Sequence, residues 1–256
     1  MAIDEAILQG MTSGAALPTL RLYAWEPACL SLGYAQPVQD VDQQALVQHG
    51  WDIVRRPTGG RAILHTDEIT YAVIGPQTEP RLSGSVLESY RCLSQALLSA
   101  LRRLDVPAQS QMEAAQPSSS VKGPVCFEAP SNYEITVQGK KLIGSAQARR
   151  KEGVLQHGSL PLYGDLTRIL QVLHFQEDTQ AARAQSAARL LARATTVVEI
   201  LGKPITWETA AQAFIDSFED ELNIAFVREE LTTEEQARAA VLVREKYKQA
   251  SWLERV

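Results

Sequence analysis

The chain has 256 residues, 45% of them hydrophobic and 21% charged, which is enough to bury a sizeable core in one large domain. Its formal charge of -5 comes from interspersed residues of both signs and gives no electrostatic basis for binding nucleic acid or an anionic membrane. The opening Met-Ala-Ile-Asp-Glu-Ala-Ile-Leu lacks the basic and then apolar stretches of a signal peptide, and no apolar run reaches membrane-spanning length, so a cytoplasmic protein is expected.

Residues 2–9 read as a short helix, and 20–25 alternate as a half-buried strand does. A strand at 29–33, a helix at 43–49 and strand-like pieces at 53–56, 61–65 and 69–74 follow, the last stopped by Gly75-Pro76. Apolar residues recur over 85–104 at helical spacing. The stretch 109–124, rich in Ser, Gln, Pro and Ala, reads as a long loop, and a loop of that length is usually functional or disordered. Strands at 133–137, 141–148 and 154–162, with turns at Gln138-Gly139 and Glu152-Gly153, suggest a meander. From Asp165 onward the pattern is mainly helical, at 166–173, about 187–190, 206–222 and 232–247. With no internal repeat, the expected fold is α+β, a mixed and largely antiparallel sheet with packed helices, in a single domain over 1–256.

The three cysteines, Cys29, Cys92 and Cys126, are odd in number and far apart, with no C-x-x-C or Cys/His cluster, so neither a disulfide framework nor a metal site is expected. Cys29 begins an apolar strand and Cys92 lies on the apolar helix, where a thiol acts as a small buried apolar group. Cys126 fits that description less well, because Pro124 and Pro130 bracket it and polar residues follow.

Three segments can carry chemistry. In Arg55-Arg56-Pro57-Thr58-Gly59-Gly60-Arg61-Ala62-Ile63-Leu64-His65, the glycine pair reads either as a plain hairpin turn or as a loop whose backbone N–H groups approach a bound acyl oxygen, with arginines adding donors. In Gly139-Lys140-Lys141-Leu142-Ile143-Gly144-Ser145-Ala146-Gln147-Ala148, the lysines are either solvent-facing or stand beside a narrow slot floored by small residues, which suits an extended acyl chain. In Leu155-Gln156-His157-Gly158-Ser159-Leu160, His157 is either structural or part of the same slot.

In this order, the Arg-containing Gly-Gly loop, the Lys-x-x-Gly-Ser-Ala strand and the His-Gly strand, with Ile3-Asp4-Glu5-Ala6-Ile7 before them, resemble the catalytic domain of lipoate ligases, octanoyltransferases and biotin ligases, over nearly the whole chain. That family implies either ATP-driven activation of a free acid or transfer from an existing acyl thioester. The Cys-Phe-x-x-Pro-Ser-x-Tyr-Glu pattern at Cys126 resembles the octanoyltransferases that load the glycine-cleavage H protein, in which the cysteine is acylated.

The resemblance implies Cys126 as nucleophile and Lys141, 15 positions later (141 minus 126), as the ammonium that favours its thiolate. Lys140 alternates to the opposite face. Arg56, Thr58, Gly59, Gly60, Arg61, His65, Gly144, Ser145, Ala146, His157 and Gly158 would line the acyl site, the two histidines shaping it rather than transferring protons. The donor would be octanoyl-acyl carrier protein, and the acceptor H protein or a lipoyl domain, with no ATP or other cofactor, nucleic acid or membrane involved. Relatives generally carry a further strand before the Ile-Asp-Glu stretch, so either a native start lies upstream or one edge strand is lacking. An ATP-dependent lipoate ligase, a lipoyl or octanoyl amidotransferase and a catalytically dead acyl-binding protein are the rival readings. The presence of both Cys126 and Lys141 argues against the last.

Overall fold

Helix α1 (Ala2–Gly10) leads to strands β1 (Thr19–Tyr23) and β2 (Cys29–Leu32), helix α2 (Gln43–His49), and strands β3 (Asp52–Arg55), β4 (Ile63–His65) and β5 (Glu68–Gly75). Helix α3 (Val86–Arg103) is followed by β6 (Gln109–Gln111), β7 (Glu134–Val137), β8 (Lys140–Arg150) and β9 (Gly153–Pro161). The regular elements beyond residue 165 are all helical: a 3-10 helix at Leu166–Val172, then α4 (Gln180–Arg193), α5 (Val197–Leu201), α6 (Trp207–Leu222), α7 (Thr233–Leu242), a π-helical turn at Val243–Tyr247, and α8 (Ala250–Leu253). This computed structural model describes residues 1–14, 16–111, 134–175 and 179–256.

Six strands form one sheet in the order β1-β5-β9-β8-β7-β6, each antiparallel to its neighbour. A second sheet has the order β3-β2-β4, with β3 parallel and β4 antiparallel to β2. The fold is thus α+β with a mixed, largely antiparallel sheet architecture. Two sequence expectations change. The glycine pair between β3 and β4 is not a hairpin turn, because β2 lies between those strands and the loop must cross it. Residues 109–111, expected to begin a loop, instead pair with β7 as an edge strand.

Local chemistry sets the main boundaries. Ser85 and Glu88 close a capping box at the start of α3, with Ser85 Oγ accepting from the Glu88 N–H at 3.2 Å and Glu88 Oε2 accepting from the Ser85 N–H at 2.7 Å. The helix then buries Leu93, Leu97 and Leu101 in the same core as Phe214 and Phe218 of α6, whose rings lie 6.1 and 6.5 Å from that of Tyr71 on β5. Gln138 and Gly139 both take left-handed φ, of 51° and 77°, which is the twist a two-residue hairpin needs between β7 and β8. A second core under the smaller sheet joins Leu30, Leu32, Leu46 and Ile63 to Ile169, Val172 and Leu190.

Strand β8 changes partners along its length. Residues 140–143 pair with β7, while 144–150 pair with β9. The switch falls at Gly144, beside the lysines.

Candidate active site

The β3–β4 loop is folded around Arg56, which is buried. Its five N–H donors are all used within the protein. Nε and one Nη2 hydrogen go to Gly59 O, the second Nη2 hydrogen to Arg61 O at 2.7 Å, and Nη1 to Ser31 O at 2.9 Å and Ser31 Oγ at 3.1 Å. Arg56 therefore shapes the loop. Gly59 and Gly60 are exposed, and their N–H groups have no partner among the described residues.

The loop also rests on Gly33. A Cβ there would lie 1.8 Å from Gly60 O, so only hydrogen fits between the two backbones. Gly33→Ala is expected to lower stability by about 3 kcal/mol through overpacking against backbone that cannot yield. Thermal melting checks this, at roughly 2–4 °C per kcal/mol for a chain of this size.

Lys141 is 3% exposed and lines the same cavity, whereas Lys140 is half-buried and pairs with Val137. Its Nζ donates to Glu134 Oε1 at 2.8 Å across the β7–β8 hairpin. A Cβ on Gly144 would sit 3.0 Å from Lys141 Cε, so the glycine leaves room for the lysine stem where the strand switches neighbours.

Thr58 Oγ1 and His157 Nε2 are 2.6 Å apart, which ties the Gly-Gly loop to β9. Burial pushes His157 down to about 3, against the opposing pull of the Asp4 carboxylate, so the ring is neutral at pH 7. The unfolded histidine keeps a value near 6.5. Between about pH 6.5 and 3 the unfolded chain therefore binds the additional proton, so this contribution to stability is complete above pH 6.5 and is lost as pH falls. Urea unfolding at pH 4–6 should register up to about 1.4 kcal/mol per pH unit from this group. A His157→Gln chain should lose one proton's share of that slope.

His65 stacks on Trp25, with centroids 4.5 Å apart, and is held on both ring nitrogens: Nε2 lies 2.7 Å from Ser31 Oγ, and Nδ1 lies 2.6 Å from Glu68 Oε1. Ser145 Oγ is 2.6 Å from the hydroxyl of Tyr71, and Gly158 packs where a Cβ would meet Gly144 O at 2.5 Å.

These residues converge. One cavity of about 1030 Å³ is lined by Arg56, Thr58, Gly59, Gly60, Arg61 and His65 from the loop region, Lys141, Gly144, Ser145 and Ala146 from β8, and His157 and Gly158 from β9. Cys126 lies outside the described residues. The sequence reading did not single out Ser31, Gly33 or Glu68, and it carried Glu134 only as the last residue of the Cys-Phe-x-x-Pro-Ser-x-Tyr-Glu pattern. Glu68 was within sight as the end of His65-Thr66-Asp67-Glu68, and Glu134 as the neighbour of Lys141 across the hairpin. Among the described residues no three His, Cys, Asp or Glu side chains are grouped to hold a metal, and no helix is long and apolar enough to cross a membrane.

Residues 1–219 match the family model of the lipoyl protein ligase A/B catalytic domain. The chain is 39% identical to octanoyltransferase LipM of Carboxydothermus hydrogenoformans over 254 residues, covering 99% of this chain and 93% of that protein. It is 38% identical to octanoyltransferase LipM of Geobacillus kaustophilus, covering 98% and 92%. Among solved structures, a bipartite lipoate protein ligase of Thermoplasma acidophilum superposes with TM-score 0.78 at 21% identity, covering 98% of this chain and 91% of that one. A lipoate-protein ligase A bound with ATP superposes with TM-score 0.77 at 24% identity, covering 99% and 92%. These two share the fold. By the family model and these relatives, the chain belongs to the lipoyl protein ligase A/B family and, within it, to the LipM octanoyltransferases.

Proposed function

We propose that the chain takes an octanoyl group from octanoyl-acyl carrier protein as a thioester on Cys126 and passes it to the lysine of a lipoyl-accepting protein such as H protein, without ATP, in lipoate biosynthesis. The observation that carries this reading is the buried Lys141, paired with Glu134, on the wall of a large cavity, in a chain 38–39% identical to LipM octanoyltransferases. The setting is taken to be the cytoplasm.

In the first half-reaction the Cys126 thiolate attacks the donor's thioester carbonyl. A carbon–sulfur bond forms to Cys126, and the bond to the phosphopantetheine sulfur breaks, releasing that thiol after it takes up a proton. The exchange replaces one thioester by another, so it needs no nucleotide to drive it. Lys141, as an ammonium, favours the thiolate and the negative charge on the tetrahedral carbonyl oxygen. The N–H groups of Gly59 and Gly60, without a partner among the described residues, are backbone donors on the cavity wall for that oxygen. In the second half-reaction the neutral ε-amine of the acceptor lysine attacks the acyl-cysteine, its surplus proton passes to solvent as the amide forms, and the Cys126 thiolate leaves. Thioester to amide is the downhill step.

Mixing the protein with octanoyl-acyl carrier protein, without ATP, tests the reading. Intact mass should rise by one octanoyl group, peptide mapping should place it on Cys126, hydroxylamine should remove it, and added H protein should accept it. Octanoylation of H protein only with free octanoate and ATP would replace this reading with the ligase one.

A further inference from the structure

The contacts of His65 belong to a longer chain whose hydrogens can be placed one by one. The indole of Trp25 can only donate, and it lies 2.9 Å from Thr70 Oγ1, so Thr70 accepts there and gives its own hydrogen to Glu68 Oε1 at 2.5 Å. From the other end, a guanidinium can only donate, so Ser31 Oγ accepts from Arg56 Nη1 at 3.1 Å; a carboxylate can only accept, so a single ring hydrogen on His65 faces Glu68 and the Ser31 hydrogen goes to His65 Nε2 at 2.7 Å. With Nε2 accepting, the ring hydrogen sits on Nδ1 and goes to Glu68 Oε1 at 2.6 Å. Both branches end on one carboxylate oxygen. Ser31, His65 and Glu68 are each at least 95% buried, which strengthens these bonds relative to the same bonds at a surface.

We propose that Glu68, His65 and Ser31 are positioning residues for acyl transfer: the Glu68 carboxylate fixes the His65 tautomer, His65 fixes the Ser31 hydroxyl, and Ser31 holds the Arg56 guanidinium that draws back the carbonyls of Gly59 and Arg61. With those carbonyls committed to Arg56, the unpartnered N–H groups of Gly59 and Gly60 stay available at the cavity for an acyl oxygen. The inference rests on the octanoyl-transfer reading for its chemistry, but not for its geometry.

Ser–His–carboxylate order also describes hydrolase nucleophiles. Here the serine oxygen is fully buried and already holds an arginine hydrogen, so its bonds serve to orient Arg56 and not to attack a carbonyl.

The test compares Ser31→Ala with Ser31→Thr, both small changes on a strand, the second keeping the hydroxyl. In single turnovers with octanoyl-acyl carrier protein, Ser31→Ala should form acyl-Cys126 about 10- to 100-fold more slowly, the loss expected from loosening an oxygen-binding loop, while half-saturation by donor moves less than about threefold. Ser31→Thr should recover most of the rate. Backbone ¹⁵N order parameters of Gly59 and Gly60 should fall in Ser31→Ala and return in Ser31→Thr, a readout that holds whether or not Cys126 carries the acyl group. Unchanged order parameters in Ser31→Ala would overturn the proposal, as would a rate that drops equally in both variants, or an octanoyl group mapping to Ser31 itself. Absence of any octanoyl adduct on the unaltered protein, with the order parameters behaving as described, would instead sink the thioester route and leave the relay standing.

Discussion

Replacing Cys126 with serine is expected to reduce transfer from octanoyl-acyl carrier protein by about a thousandfold or more, and to remove the hydroxylamine-labile adduct. An ordinary thiol near pKa 8.5 is a few per cent thiolate at pH 7, and a neighbouring ammonium raises that fraction, whereas a serine hydroxyl stays protonated and has no general base assigned to it here. The other two thiols provide the control. Burial pushes Cys29 up to about 12, with Asp52 adding to the effect, and burial also raises Cys92. Neither ionises usefully at neutral pH, so Cys29→Ser and Cys92→Ser should transfer within about twofold of the unaltered chain. Single-turnover transfer to H protein measures all three variants on one scale. If Cys126→Ser still transfers octanoate from the carrier thioester, the covalent route is wrong. If it works only with ATP and free acid, the chain is a ligase.

Helices and strands with strong periodicity were legible from the residues alone. The 85–104 stripe became α3 with its capping box, and 206–222 became α6 behind Thr206, whose Oγ1 accepts from the Thr209 N–H. The weaker elements were not. Helix α4 runs over Gln180–Arg193, yet only four of its residues were read as helical, because its inward side is mostly small, with Ser186 and Leu190 its buried residues, and so lacks a run of large apolar side chains. Residues 166–173 were read as a helix, but the structure has a 3-10 helix at Leu166–Val172, a distinction that composition does not encode.

At the site, the residue types were readable but their partners were not. The Gly-Gly loop, Lys141 and the two histidines stand out in sequence. That Arg56 points its donors inward depends on β2 lying between β3 and β4, a non-local pairing. Gly33 looked like a strand end until Gly60 was found against it. Glu68 drew no reading in the sequence, because its role appears only when β5 brings Thr70 and the β4 end brings His65 to the same oxygen.

Lys141→Met should cost both activity and stability, and the two losses can be separated. Lys141 and Glu134 have side chains 3% and 13% exposed, and their atoms meet at 2.8 Å. Methionine fills much of the lysine volume but takes the Lys141 ammonium away from the Glu134 carboxylate, for which about 3 kcal/mol of destabilisation is expected. Adding Glu134→Gln removes the carboxylate charge, so the double variant should regain most of that stability in urea unfolding. Acyl transfer should stay about 100- to 1000-fold below the unaltered chain in both, because neither supplies an ammonium to the thiolate or the developing oxyanion. Recovery of transfer together with stability in the double variant would mean that Lys141 only balances Glu134. The thiolate would then need another source of positive charge, and Arg61 on the cavity wall would be the next residue to replace.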